Sequence, residues 1–193
     1  DPVTHVLWNI ENAHTSTVSG IDFGTNMTAT CSLDCCIRVW NKQFQCVQTF
    51  ASTYGILNVH VIDHSIWFVN EVFQTCVWNT SIGSPPIVIN DTGEQHYSVA
   101  SMDSIGSTVL VATHRTVTPW DALYPHTKKH VNYDSTVTCV AFITEQDYVC
   151  GTISGEVWCC SVEDDSKLLI WEDEDETITA ILPLVSGREC GTV

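Results

Sequence analysis

The stretch HTSTVSGIDFGTNMTATCSLDCCIRVWN, residues 14–41, decides the fold of this chain. Runs rich in β-branched and aromatic residues (TVSGIDF, MTATCS and CIRVWN) alternate in it with turn residues, and FQCVQTF at 44–50 adds a fourth run. No segment longer than ten residues sustains apolar residues at helical spacing. The chain is therefore predicted to be all-β, with four short antiparallel strands within residues 14–50.

The same four-strand unit recurs along the chain. Its third strand ends in CIRVWN (36–41), QTCVWN (74–79), TVTPWD (116–121) and VWCCS (157–161). The aligned positions Trp40, Trp78, Trp120 and Cys160 are 38, 42 and 40 residues apart. A period near 40 is typical of a β-propeller, in which each blade is a four-stranded antiparallel sheet.

This period predicts how the chain is divided. Residues 1–12 supply the outer strand of a preceding blade, and residues 173–193 the first half of a further blade. Between them lie four complete blades, at 13–50, 51–91, 92–132 and 133–172. A blade buries its faces only against its neighbours, and the ring must close. We therefore expect this segment to be a fragment of a roughly seven-bladed ring.

The first unit resembles the WD-repeat β-propeller family. It has a histidine at His14, Thr30 and Ser32 in the second strand, Asp34 in the following turn, and a third strand that ends at Trp40. The resemblance implies a buried hydrogen-bond network of Trp40, His14, Asp34 and one of the two hydroxyls, Thr30 or Ser32. Such a network is structural, so these residues are not expected to form a hydrolase site.

The other three units depart from the family pattern. The second keeps only Trp78, the third keeps His96 and Trp120, and the fourth has Ser154 and Cys160 at the aspartate and tryptophan positions. The period and the strand pattern carry their assignment.

Composition narrows the function classes. The 23 acidic residues outnumber the 7 basic ones, giving a formal net charge of -16 that disfavours nucleic acid and anionic lipid as partners. No apolar run is long enough to span a membrane. The ten cysteines fall within alternating strands, which favours free thiols in a reducing compartment, the cytoplasm or nucleus.

Motifs for cofactors and metals are weak. The P-loop, the dinucleotide-binding glycine pattern and the kinase motifs are absent, so no cofactor is expected. The cluster CSLDCC at 31–36 lacks a second pair of cysteines at zinc-site spacing. HVIDHS at 60–65 is interpreted as a strand end and turn, and no metal site is predicted.

The most unusual composition is an acidic run. It consists of Glu172, Asp173, Glu174, Asp175 and Glu176. Five adjacent acids repel one another, which predicts a solvated loop. The alternative is a docking site for a basic peptide or protein surface, weakened by salt.

The family resemblance implies a rigid, non-catalytic platform for protein or peptide partners, within a multiprotein assembly or a larger chain. Its contacts are expected on loops at the end where the His and Asp turns lie. The candidate partner-binding residues are Thr15, Leu33, Tyr54, Glu71, Tyr97, His114, Tyr133 and Ile153. Two alternatives remain: a regulatory propeller of a larger catalytic protein, and a propeller hydrolase with groups in its central channel.

Overall fold

The computed structural model describes residues 10–91, 100–123, 130–164 and 166–182. Within these residues the chain forms sixteen β-strands and no helix, so the all-β prediction is confirmed. The strands build four antiparallel sheets of four strands each. Consecutive strands are hydrogen-bonded neighbours in every sheet, so each sheet is a simple meander.

The strands of sheets 1 and 2 come from the first half of the chain. Sheet 1 consists of β1 (Val18–Phe23), β2 (Thr28–Ser32), β3 (Cys36–Trp40) and β4 (Cys46–Ala51). Sheet 2 consists of β5 (Ile56–Ile62), β6 (Ser65–Asn70), β7 (Gln74–Asn79) and β8 (Ile87–Asp91).

The strands of sheets 3 and 4 follow in the same order. Sheet 3 consists of β9 (Ala100–Ile105), β10 (Thr108–Thr113), β11 (Thr116–Asp121) and β12 (Val131–Asn132). Sheet 4 consists of β13 (Val137–Phe142), β14 (Asp147–Thr152), β15 (Glu156–Ser161) and β16 (Lys167–Glu172).

The core lies between sheets that are consecutive in the chain. Three buried clusters join sheet 1 to sheet 2, sheet 2 to sheet 3, and sheet 3 to sheet 4. Ile37 and Ile66 belong to the first, Trp67 and Trp120 to the second, and Tyr148 to the third. Successive side chains of a strand point to opposite faces, and sheets 2 and 3 each contribute buried apolar side chains from both of their faces. The sheets therefore stack face to face in chain order.

The first strand of each sheet contacts the first strand of the next, and we call β1, β5, β9 and β13 the inner strands. Each begins at the end of the sheet where the second strand turns into the third. Those turns contain a residue with positive φ, namely Cys35, Phe73, His114 and Gly155. The turns and inner-strand entries of all four sheets thus lie at one end, which we call the loop end.

Residues 173–182 contain no strand, although the sequence predicts the start of a further blade there. The segment nevertheless lies against sheet 4, since the Ile178 N–H donates to the Thr152 carbonyl at 3.1 Å. A Cβ on Gly151 would collide with the Ile178 side chain, so this close approach needs glycine. The predicted partner strand in residues 183–193 and most of the predicted outer strand in residues 1–12 lie outside the described residues.

Candidate functional site

A directed chain of hydrogen bonds crosses sheet 1 near the loop end. The Trp40 indole N–H donates to Thr30 Oγ1 at 2.9 Å, and Thr30 Oγ1 lies 2.8 Å from His14 Nε2. His14 Nδ1 lies 3.0 Å from Asp34 Oδ2. A carboxylate can only accept, so His14 Nδ1 carries a proton and donates it in a hydrogen bond to Asp34, while Thr30 Oγ1 accepts the indole N–H and also bonds His14 Nε2. Each of the four side chains in this hydrogen-bond chain therefore has a hydrogen-bond partner.

Asp34 fastens two loops together at the end of this chain. It accepts hydrogen bonds from the Thr15 N–H at 2.9 Å and from the Cys36 N–H at 3.0 Å. Burial opposes ionisation of the carboxyl, but the Thr15 N–H and the His14 ring outweigh it and lower the Asp34 pKa below its ordinary 3.8. The carboxylate therefore ties the entry to β1 to the turn between β2 and β3.

Thr30 supplies the hydroxyl of the chain and Ser32 does not. Both were candidates because they alternate on one face of β2, but Thr30 lies between the indole and the imidazole. Ser32 is fully buried and lies two residues nearer the loop, where its Oγ accepts the Asp34 N–H at 3.0 Å. Ser32 shapes the turn.

Sheet 4 fills the same positions with different chemistry. Strand register places Cys160 at the position of Trp40 and Cys150 at that of Thr30. The loop before the inner strand places Tyr133 at the position of His14. The Tyr133 hydroxyl lies 3.0 Å from Cys160 Sγ and 3.3 Å from the Tyr148 hydroxyl. A phenol and thiol cluster therefore replaces the network of sheet 1.

This cluster corrects the prediction for Tyr133. The sequence pattern places it on a partner-binding surface, but its side chain is 4% exposed. Its ring packs edge-on to Trp158 at 6.4 Å between centroids, and Lys167 Nζ lies 5.0 Å from the ring centroid. Burial raises the pKa of the Tyr133 hydroxyl. The side chain turns inward because the cysteines at positions 150 and 160 are smaller than the groups of sheet 1 and leave room for the ring in the core.

Sheets 2 and 3 lack the hydroxyl at the Thr30 position, where register places Phe68 and Val111. In sheet 2, Trp78 packs instead on Phe50 of sheet 1, with 5.6 Å between ring centroids. In sheet 3, the buried Trp120 indole N–H has no hydrogen-bond partner among the described residues. His96, the residue predicted to accompany it, lies outside them.

A second polar chain joins the inner strands of three sheets. Asp22 Oδ2 lies 3.0 Å from His60 Nδ1 and accepts the Val61 N–H at 2.7 Å. His60 Nε2 in turn lies 2.8 Å from the Ser104 hydroxyl. Asp103 repeats the role of Asp22 between sheets 3 and 4, two joints later, since its Oδ2 accepts the Phe142 N–H at 2.7 Å.

No local sequence pattern predicts this hydrogen-bond chain, because its members are some 40 residues apart and match no local motif. The signal present in the sequence is positional: Asp22, His60 and Asp103 occupy the same place in three successive inner strands. Predicting the contact among these three residues would require knowing that the inner strands of consecutive sheets adjoin.

The order Asp22, His60, Ser104 matches the hydrogen-bond order of a hydrolase triad. A hydrolase also needs N–H donors that stabilise an oxyanion beside the nucleophile. The Ser104 N–H donates instead to Asp103 Oδ1 at 2.9 Å, which puts a carboxylate beside Ser104. That negative charge would repel an oxyanion, so the arrangement suits a joint between sheets better than acyl transfer.

The loop end presents exposed side chains from several sheets. Leu33, Tyr54 and Ile153 are 39%, 42% and 56% exposed. Thr15 and Glu71 are also exposed, and His114 is half-buried. Tyr97 lies outside the described residues. We call Thr15, Leu33, Tyr54, Glu71 and Ile153 the loop surface.

The acidic run lies at this same end. Glu172 ends β16, and Asp173 donates its N–H to the Gly155 carbonyl in the neighbouring turn at 3.1 Å. Thr177 Oγ1 then donates to the Ile153 carbonyl at 3.0 Å. Glu172, Glu174, Asp175 and Glu176 are exposed, so the run borders the loop surface with its carboxylates in solvent.

Other candidate chemistry in the described residues is sparse. Nine cysteines there are free thiols, and no group of three or more His, Cys, Asp or Glu side chains among them could hold a metal ion. Asp63 and His64 lie in an exposed turn between β5 and β6. The described part of the chain also has no helix long and apolar enough to cross a membrane.

The fold and the site define a repeat protein of stacked four-stranded antiparallel sheets. No protein-family model and no curated protein matches the sequence. Solved structures to which the chain is similar include the computationally designed protein Ika8, with a TM-score of 0.71 and 20% identity over 86% of this chain and 52% of that one. The designed protein Ika4 gives a TM-score of 0.65 and 19% identity over 77% of this chain and 93% of that one. The chain spans about half the length of Ika8, and identities this low show a shared fold alone.

Proposed function

We propose that the chain is part of a WD-repeat-like β-propeller that acts as a non-catalytic scaffold for protein or peptide partners. The observation that carries the proposal is the loop surface, where exposed apolar and polar side chains of sheets 1, 2 and 4 lie at one end of a stacked core. Loops held by a rigid framework are common binding elements. The Asp34 bonds to both loops of sheet 1 keep part of this surface in one arrangement.

Ring closure is supported by the faces at the two ends of the stack. Ile21 and Phe23 of sheet 1 are 56% and 67% exposed, and Leu168 and Trp171 of sheet 4 are 67% and 47% exposed. Within the chain, faces of this kind are buried against the next sheet. Further blades of the same build would cover both, in a ring of about seven that continues in a longer protein.

The charge of the loop end favours a basic partner. The acidic run borders the loop surface, and the whole chain carries a net charge of -16. Opposite charge on a partner would speed its encounter and orient it, and salt would weaken the complex. The free thiols of the described residues are consistent with a reducing compartment, the cytoplasm or nucleus.

Affinity capture tests this function. The full chain is used as bait in native lysate at low and moderate salt, beside a variant with Glu172 to Glu176 replaced by Gln or Asn. We expect basic protein partners that bind the wild type, are lost as salt rises and bind the variant weakly. A control variant with Glu145 and Asp147 neutralised removes two charges at the opposite end and should retain the partners. If the two variants lose the same partners equally, the contact does not lie at the loop end.

A further inference from the structure

A cavity of about 480 Å³ lies where the inner strands enter the sheets. Its wall includes Asn58 of β5, Ser101 of β9 and Cys139 of β13, and Ala180 of the segment that follows the acidic run closes one side. These lining residues are neutral. The lining residues of β1, β5, β9 and β13 lie near the starts of these strands, so the cavity lies toward the loop end.

Charged groups occupy the next layer of the same strands. His60 follows Asn58 by two residues and Asp103 follows Ser101 by two, so each pair shares one face of its strand. At a rise of about 3.3 Å per residue, the second layer lies roughly 7 Å beyond the first. The side chains of Asp22 and His60 there keep 27% and 16% of their surface exposed.

The two carboxylates of this layer belong to Asp22 and Asp103, and no lysine or arginine of the described residues is paired with them. Asp22 is paired with His60, and within the described part of the chain Asp103 accepts the N–H groups of Ser104 and Phe142. A partly desolvated carboxylate attracts a cation more strongly than an exposed carboxylate does.

We propose that this cavity takes the side chain of a lysine or arginine from a basic peptide lying across the loop surface. The aliphatic stem passes the neutral wall at Asn58, Ser101 and Cys139, and the cation approaches Asp103 and Asp22. A long side chain with an apolar stem and a charged tip fits a neutral wall with carboxylates beyond it. The basic peptide in this proposal comes from the proposed function. The site for its lysine or arginine comes from the cavity.

Single-residue probes test the cavity without any partner. N-acetyl-lysine methylamide and its uncharged counterpart N-acetyl-norleucine methylamide are titrated into the full chain and followed through the amide resonances of Ser101 and Val140. We expect the lysine probe to bind at least about tenfold more tightly than the norleucine probe, because only the ammonium gains from the carboxylates. Equal affinities would overturn the proposal.

Substitutions locate the effect. Asp103→Asn and Asp22→Asn should each weaken lysine-probe binding about tenfold, while Asp63→Asn, which removes one charge from an exposed turn at the opposite end, should leave it within twofold. Ala180→Leu blocks the cavity from an exposed backbone segment and keeps every charge. It should abolish binding in a chain that melts like the wild type. Unchanged binding by Ala180→Leu would place the probe elsewhere.

A hexalysine peptide separates this inference from the proposed function. If the scaffold proposal alone is right, hexalysine binds, neutralising the acidic run weakens it, and Ala180→Leu has no effect. If the cavity alone is right, the lysine probe binds and neutralising the acidic run has no effect on hexalysine. Both proposals hold when each variant weakens hexalysine on its own.

Discussion

Replacing Thr30 by valine tests the network of sheet 1 most directly. The change keeps the shape and removes the hydroxyl that accepts the Trp40 N–H at 2.9 Å and contacts His14 Nε2 at 2.8 Å. Trp40 is 5% exposed and the His14 side chain 0%, so water cannot replace the lost partner. Each buried polar group left unsatisfied costs about 1 to 3 kcal/mol. Two such groups, offset in part by the added methyl, should lower the free energy of unfolding by about 2 to 4 kcal/mol.

The assay is urea unfolding followed by tryptophan fluorescence, with Thr49→Val as the matched control. Thr49 is exposed on β4 of the same sheet, so its substitution should change the free energy of unfolding by no more than about 0.5 kcal/mol. A double-mutant cycle with Trp40→Phe should show coupling, since the second change costs less once the indole has lost its acceptor. If Thr30→Val is no more costly than Thr49→Val, the hydrogen-bond chain does not stabilise the sheet.

Three further outcomes are expected. Trp40→Ala should lose about 3 to 5 kcal/mol of stability in the same urea assay, and a loss below about 1 kcal/mol would contradict its role as a buried anchor. The Asp34 pKa is lowered from 3.8 on folding, so this carboxylate stabilises the fold above about pH 4 and stops doing so as pH falls below 3.8. Stability should thus decline more steeply between about pH 5 and about pH 3 in the wild type than in Asp34→Asn, and parallel curves would refute the assignment. Burial raises the Cys31 pKa to about 11, so a disulfide reagent should modify exposed Cys46 in the native chain and Cys31 only on unfolding, as peptide mapping would show.

The sheets were predictable because their signals are local. Alternating β-rich runs and turn residues are readable within one unit, and they predict the strands and their four-stranded sheets. Thr30 and Ser32 show the limit of such reading. Both alternate on one face of β2, and only the position of the indole in space separates them.

The inner-strand chain and Tyr133 lay beyond the reach of local pattern. Asp22, His60 and Ser104 meet only because consecutive sheets stack, and nothing near any of them marks that contact. The prediction for Tyr133 was wrong because a tyrosine in a loop is usually expected at the surface. The small cysteines at positions 150 and 160 leave room for its ring in the core. Because every member of the sheet 1 network is replaced at once in sheet 4, motif matching cannot find the equivalent positions there.

The joints made by Asp22 and Asp103 bear on how such a chain can change its length. Each carboxylate accepts a hydrogen bond from a main-chain N–H of the next sheet, at Val61 and Phe142, and every residue except proline carries that group. A duplicated or deleted unit would therefore present a suitable donor whatever its side chain. The His60 joint is different, since it needs the hydroxyl of Ser104. The carboxylate bonds to main-chain N–H groups therefore place no demand on the side chain of the next sheet, whereas the bond between His60 and Ser104 does.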